Sequence, residues 1–260
     1  MSNQELFNGV AYYYDKYRPG LPKEMVVYFK KTFSLDNNKS IVLDLGCGTG
    51  QIAKSLCGYV ARVVCVDSSE DMIRVSKNSL KNCGDKVEFS CSKAEDFLRP
   101  KGSIDLVTIS RAFHWMNQDA VMVNCKSILQ EGGGLALLGD YTLWNGNASW
   151  QKTTKQTIQY FLGEKRRAGN GYFSPPSEPY ESMLKRHGFK DVTVKDFEVV
   201  RRWNFDSILG YLYSTSFASP IMFDDRLKEF EDTLRKNLGE PKKDDLFDER
   251  TIFSVTSGVK

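Results

Sequence analysis

Asp44 stands two residues ahead of the first of three alternating glycines, Gly46, Gly48 and Gly50, and Asp67 follows 21 residues beyond Gly46. Glycines at alternate positions let a chain turn sharply and bring its amides against a ligand with no Cβ in the way. The spacing is G-x-G-x-G. A dinucleotide fingerprint would need its third glycine at position 51, where Gln51 stands, and no Gly-Lys-Ser/Thr closes the loop as in a Walker A sequence. An acidic residue so close to the loop would also repel a pyrophosphate. Asp44 suits a ligand with a cationic group instead, such as an amino-acid ammonium. Asp67, at the end of the next apolar run, suits a pair of ribose hydroxyls. Taken singly, Asp44 could be a strand-end cap and Asp67 a carboxylate at a helix N-terminus. Together, around this loop, they point to ammonium plus ribose without phosphate, which is S-adenosylmethionine.

These residues need a scaffold that sets a glycine turn at a strand end, and residues 22–139 supply an alternating strand and helix pattern. Strands are expected at Ile41–Leu45, Arg62–Val66, Val87–Cys91 and Ile104–Ile109, and a fifth starts in Gly134–Gly139. Pro22 opens a helix with Met25, Val26 and Phe29 on one face. Ser68, Ser69, Glu70 and Asp71 begin another, which carries Met72, Ile73, Ser76 and Leu80. A third, from Asp119 to Gln130, repeats apolar residues at Val121, Met122, Cys125, Ile128 and Leu129. The expected fold is a doubly wound, seven-stranded, mostly parallel α/β sheet of Rossmann-like type with an aromatic cap inserted after the fifth strand. One domain is expected over residues 1–260, with a cofactor-binding core at 36–140 and cap segments at 141–180 and about 203–240. Beyond the cap come a helix ending at His187-Gly188, a strand from Val192 to Val200, a long helical segment from about Phe205 to Leu238, and a strand near Thr251–Val255.

Composition narrows the function classes. Lys and Arg total 36 against 33 Asp and Glu, a formal charge of +3 over 260 residues, too balanced for a dedicated nucleic-acid binder. The N-terminus shows neither a secretory nor a transit pattern, and the longest charge-free stretch, Ser207–Phe223, holds Pro220 and several hydroxyls, so no membrane span is expected. A cytoplasmic protein with six reduced cysteines follows from that reading. Two histidines, His114 and His187, and no thiol cluster at ligand spacing leave no metal site.

Around the glycine loop the chain resembles the class I S-adenosylmethionine-dependent methyltransferases. Ser92, Ala94 and Glu95 are similar to the segment that borders adenine in that family. Ser110, Arg111, Ala112, Phe113, His114 and Trp115 resemble the A-x-H-W-x-D element of the methyltransferase type 11, trans-aconitate methyltransferase-like branch, with Asn117 where that branch often has Asp. Phe7, Asn8, Ala11, Tyr14, Arg18, Pro19 and Pro22 follow the branch's N-terminal pattern, again with Asn for Asp at position 8. The likeness is strong over residues 7–139 and weak from 141 onward.

The resemblance implies that Asp44 and the loop backbone of Gly46, Cys47, Gly48, Gly50 and Gln51 face the methionyl part of S-adenosylmethionine. It assigns Asp67 to the ribose, Ser68, Met72, Ala94 and Glu95 to the adenine, and Ser110 to the sulfonium side. Tyr14 and Arg18 would close over the cofactor, Arg18 on its carboxylate; packing on a helix surface would account for both equally. S-adenosylhomocysteine is the implied product.

Methyl transfer is an in-line displacement, so alignment does most of the work and no covalent enzyme intermediate is needed. His114 is the candidate general base for a hydroxyl or amine acceptor, with substrate positioning as its alternative role. Phe113, His114, Trp115, Tyr141 and Trp144 are candidate substrate residues. The cap aromatics, among them Trp150, Tyr172 and Phe173, either cover a small substrate or pack a core of their own. In the basic run Lys165, Arg166 and Arg167, one side chain could pair with a substrate carboxylate, or all three could be solvated. His187, before Gly188, reads as a helix C-terminal cap. The favoured function is O- or carboxyl-methylation of a small molecule, N-methylation being open, by a monomer or weak homodimer. An RNA methyltransferase and a non-catalytic cofactor-binding protein are the alternatives, and neither a basic stacking face nor an N-P-P-Y tetrad after the fourth strand supports the first of these.

Overall fold

A computed structural model describes residues 10–140, 143–168, 171–174 and 178–260. Phe7, Asn8 and Tyr141 lie outside the described residues. Two short helices, α1 (Ala11–Tyr17) and α2 (Lys23–Thr32), lead into β1 (Ile41–Leu45). The alternation then runs α3 (Gln51–Leu56), β2 (Arg62–Asp67), α4 (Glu70–Ser79), β3 (Val87–Cys91), β4 (Ile104–Ser110), α5 (Gln118–Ile128) and β5 (Leu129–Asp140). After it come α6 (Ser149–Leu162), the small ribbon β6 (Arg167–Ala168) and β7 (Gly171–Tyr172), α7 (Tyr180–Arg186), β8 (Lys190–Trp203), α8 (Phe205–Tyr213), α9 (Leu227–Asn237) and β9 (Phe247–Val259).

Seven strands form one sheet in the order β3-β2-β1-β4-β5-β9-β8, and β1 pairs in parallel with both β2 and β4. The chain order therefore reverses between β1 and β4. In a doubly wound sheet, ligands bind at the carboxyl ends of the strands at such a switch point. Central strands of a parallel sheet are buried on both faces, which is why Val42, Leu43 and Leu45 and, opposite, Leu106, Val107 and Ile109 are nearly all apolar and closed to solvent. Asp44 and Thr108 are fully buried polar residues between them, paired in register.

The chain divides into two compact units. One comprises residues 19–139, 176–197 and 253–260. Its core includes Leu43, Val64, Ile109, Met122, Cys125 and Leu135, with Met183, Leu184 and Phe189 of the α7 region. Met25, Val26 and Phe29 on α2, Met72, Ile73 and Ser76 on α4, and Val121, Met122, Cys125 and Ile128 on α5 are all buried, the faces expected from their spacing. The other unit comprises residues 1–18, 140–175 and 198–252, and has its own core of Leu143, Trp150, Trp203, Ile208, Tyr211 and Phe230. Phe223 and Phe230 stack there with ring centroids 4.1 Å apart, and Trp150 donates its indole N–H to the Asp248 carbonyl at 2.9 Å.

Two expectations need correction. The long helix from Phe205 to Leu238 is broken after Tyr213. The Ser214 and Thr215 hydroxyls donate to the Tyr211 and Leu212 carbonyls, short turns of 3₁₀ helix follow at Pro220–Met222 and Asp224–Arg226, and the helix restarts only as α9. Hydroxyls that compete for helical carbonyls, followed by a proline, end a helix that periodicity alone would continue. Nor are all six cysteines reduced. Cys57, just after α3, and Cys83, after α4, form a disulfide with Cα atoms 6.2 Å apart, while Cys47, Cys65, Cys91 and Cys125 are free. The pair is 26 residues apart in sequence, a pairing that no local spacing reveals.

Candidate cofactor site

All three loop glycines adopt positive φ: +66° at Gly46, +55° at Gly48 and +85° at Gly50. A Cβ on Gly46 would come within 2.4 Å of the Ala112 Cβ, and one on Gly50 within 2.6 Å of a Leu80 methyl. Both the conformation and the space thus demand glycine.

Asp67 holds this loop in place. One of its carboxylate oxygens accepts from the Gly48 N–H and the other from the Ser69 N–H, each at 2.9 Å. Its own carbonyl accepts from the Ser92 amide beyond β3. The two readings open for Asp67 are therefore compatible: a carboxylate at the start of α4 still has lone pairs to offer a ligand after taking one amide on each oxygen. Burial raises its pKa, and the Ser69, Gly48 and Ser68 amides hold the rise in check.

Asp44 is completely buried. Its Oδ1 accepts from the Thr108 hydroxyl at 2.8 Å, and its Oδ2 has no hydrogen-bond partner. Burial, with the Asp67 charge adding to it, pushes the Asp44 carboxyl up to about 7, against the pull of Thr108 and the Ala53 amide. The Thr49 hydroxyl in the loop and the Ser110 hydroxyl at the end of β4 are also sealed and without partners. Buried polar atoms are normally satisfied. Orphans at a strand-end switch point are what a bound polar ligand would complete, and a buried carboxylate oxygen without a donor fits a cationic group. The residues present thus suit the ammonium of S-adenosylmethionine.

The other expected cofactor residues are distributed as follows. Cys47 is buried, its amide bonded to the Val66 carbonyl, and the adjoining Cys65 thiol together with burial raises its pKa. Gln51 begins α3. Met72 and Ala94 are buried apolar contacts, and Ser68 is exposed after β2. Glu95 accepts from the Asn117 amide at 2.5 Å, tying the segment after β3 to the one after β4. Asn117, where Asp was the family's habit, caps α5 by accepting from the Ala120 N–H at 3.3 Å. Phe113 is buried in the core and meets Tyr180 edge-on at 5.3 Å, a packing position. His114 is exposed and lies 4.8 Å from the Trp115 ring. His187 caps α7 as expected, and its Nε2 lies 2.7 Å from Asp119.

In the other unit, Arg18 donates from Nε to the Ser214 hydroxyl at 2.8 Å, and its guanidinium lies over the rings of Tyr14 and Tyr211. Trp144 stands edge-on to Phe217 at 5.5 Å, with Lys155 over its ring. Among the cap aromatics Trp150 is core, whereas Tyr172 and Phe173 are exposed. No group of ligand-type residues that could hold a metal occurs among the described residues, and no helix among them is long and apolar enough to cross a membrane.

Sequence reasoning passed over Thr108 and Thr49. Thr108 was detectable as a lone hydroxyl in the apolar run Ile104–Ile109, at the register position that meets Asp44.

An open α/β sheet with strand order 3-2-1-4-5 and two further strands, a glycine loop after β1 and a carboxylate after β2 defines the class I methyltransferase fold. Residues 42–133 match the methyltransferase-domain family. A candidate methyltransferase of Dictyostelium discoideum is 27% identical over 238 residues, 88% of this chain and 85% of its own length. The ubiquinone biosynthesis O-methyltransferase of Thiobacillus denitrificans is 27% identical over 182 residues, 67% of this chain and 77% of its own. Among solved structures, a candidate type II methyltransferase from Anaeromyxobacter dehalogenans superposes with a TM-score of 0.66 at 21% identity, covering 93% of this chain and 97% of that one. Residues 42–133 therefore form a methyltransferase domain on the class I fold, whose cofactor is S-adenosylmethionine. The trans-aconitate-like branch remains an expectation of the sequence alone.

Proposed function

We propose that the protein methylates a small molecule, at a hydroxyl or carboxylate oxygen, with S-adenosylmethionine as donor. The observation that carries the reading is the sealed, unpartnered Oδ2 of Asp44. Its carboxylate accepts the ammonium of the methionyl group. Asp67, already fixing the glycine loop through Gly48, accepts from the ribose. Met72 and Ala94 give the adenine an apolar bed, Glu95 with Asn117 keeps that bed in place, and Ser110 borders the reacting end.

When bound, the cofactor supplies a methyl group already activated by its sulfonium. What remains for the chain is alignment, which can be worth roughly 7 to 11 kcal/mol in effective molarity. A carboxylate acceptor needs no base. For a hydroxyl acceptor His114, exposed just past the end of β4, is placed in the chain to take the proton. The near-balanced charge and an O-methyltransferase among the relatives support a small acceptor over RNA.

The test is incubation of the protein with methyl-labelled S-adenosylmethionine and, separately, a metabolite extract and total RNA. The reading expects label in a small molecule that has gained one methylene unit in mass. Label confined to RNA, or cofactor binding with no transfer to either, contradicts it.

A further inference from the structure

Of the three consecutive basic residues at 165–167, only Arg166 turns inward. Lys165 and Arg167 are exposed. The Arg166 carbonyl accepts from the Phe173 amide at 2.9 Å, extending the β6–β7 ladder by one pair and setting the two side chains on one face. The guanidinium carbon lies 4.5 Å from the Phe173 ring centroid and 5.0 Å from that of Phe217. Its Nε is sealed from solvent without a hydrogen-bond partner, and among the described residues no carboxylate pairs with it. The titratable groups that act on it are Tyr211 and a second guanidinium, Arg18, itself oriented by Ser214 and lying 4.7 Å over the Tyr211 ring. Burial and the Arg18 charge both lower the Arg166 pKa, and Tyr211 works the other way.

A half-buried cation beside another cation, with no anion to balance it, is an arrangement that folding alone disfavours. Arginine cannot relieve it by giving up its proton. The two phenylalanine rings shield the guanidinium without offering it a hydrogen-bond acceptor, and a guanidinium fork matches a carboxylate. We infer that Arg166, with Arg18 beside it and Phe173 and Phe217 as side walls, is a binding site for the carboxylate of a small ligand that also carries apolar or aromatic carbon. The site lies wholly within the unit of residues 1–18, 140–175 and 198–252. Phe173 remains 41% exposed, so the site has a wall that the ligand itself would cover.

The experiment uses the full chain saturated with S-adenosylhomocysteine, titrated in a calorimeter with phenylacetate and glutarate, with neutral phenylacetamide and with inorganic phosphate. The expected result is binding of a carboxylate probe, none of the amide, and at least a roughly tenfold weaker carboxylate affinity in Arg166→Gln, the scale of a lost charge-assisted bond. Arg166→Lys, which keeps the charge and loses the fork, should recover only part of it, and S-adenosylhomocysteine affinity should match wild type in both variants. The inference is overturned if neither carboxylate binds, if the amide binds as well, if phosphate binds more tightly than either, or if Arg166→Gln changes nothing. It is also overturned if Arg166→Gln weakens S-adenosylhomocysteine itself, which would assign the guanidinium to the cofactor. Should the variants fail to fold, the wild-type preference for phenylacetate over phenylacetamide still decides. Failure of S-adenosylhomocysteine to bind the wild type is a different outcome: it removes the methyl-transfer reading and leaves the Arg166 site to be decided by the carboxylate titrations.

Discussion

Thr108 on β4 and Asp44 on β1 sit opposite each other in register, and the threonine hydroxyl satisfies one carboxylate oxygen at 2.8 Å while the other faces no donor. The threonine fixes the carboxylate's rotamer and leaves half of its bonding capacity for a ligand. An unsatisfied buried carboxylate costs the empty protein stability, so this site should show its function in its pH dependence.

Cofactor binding should weaken in acid. Asp44 binds an ammonium only as the carboxylate, and its pKa in the empty protein is pushed up to about 7. Above that the affinity for S-adenosylhomocysteine should be flat, and below it should fall about tenfold per pH unit, with one proton released on binding. Calorimetry in buffers of different ionisation enthalpy measures both. An affinity constant from about pH 8 to about pH 5 would contradict the assignment.

The empty protein should gain stability from Asp44→Asn. With the folded pKa raised from 3.8 to about 7, the folded state holds a proton that the unfolded chain has released between those values. Stability therefore falls as pH rises through that window, by on the order of 4 kcal/mol once both states are ionised. Asparagine carries no charge to desolvate. Its melting temperature without ligand should exceed wild type by several degrees near pH 8, and the gain should shrink toward pH 4. Thermal melts across that range check it; a variant that melts lower than wild type at every pH would show that the carboxylate stabilises the fold.

Gly46→Ala should damage fold and site together. The substitution needs φ near +66° and puts a methyl 2.4 Å from the Ala112 Cβ, a backbone-attached neighbour with no flexible end to move. A loss of roughly 1 to 3 kcal/mol is expected from strain of this kind. Chemical unfolding and S-adenosylhomocysteine titration should both register it. Gly84, also at positive φ but with nothing within 4 Å of its would-be Cβ, is the control: its alanine variant should leave cofactor affinity unchanged.

The Cys57–Cys83 bridge should be countable. Thiol titration of the denatured, unreduced protein should give four free groups, rising to six after reduction. For a loop of this size, cutting the bridge should cost about 3 kcal/mol in the chain-entropy account. Six thiols without reductant would contradict it.

Most of the core unit was legible because its signals are local. The continuous apolar runs of the strands and the helical burial patterns of residues 22–139, and the G-x-G-x-G loop with its two flanking carboxylates, each follow from neighbours in sequence. What was hidden depends on contacts between distant segments. The Cys57–Cys83 bridge, the meeting of Thr108 with Asp44 and the inward turn of Arg166 all require knowing which elements lie side by side. The break after Tyr213 was local and could have been read from Ser214, Thr215 and Pro220, but helical periodicity outweighed them. Phe113 and Trp150 show the remaining ambiguity: an aromatic residue near a site is equally at home in the core, and only burial decides.

The most direct test of the account is a binding cycle on the Asp44 carboxylate, with S-adenosylhomocysteine and its analogue lacking the amino group titrated into wild type and Asp44→Asn near neutral pH. The account predicts that removing either the charge or the amine costs at least about tenfold in affinity, and that removing the second after the first costs little more. Equal affinity of wild type and Asp44→Asn for S-adenosylhomocysteine would contradict it.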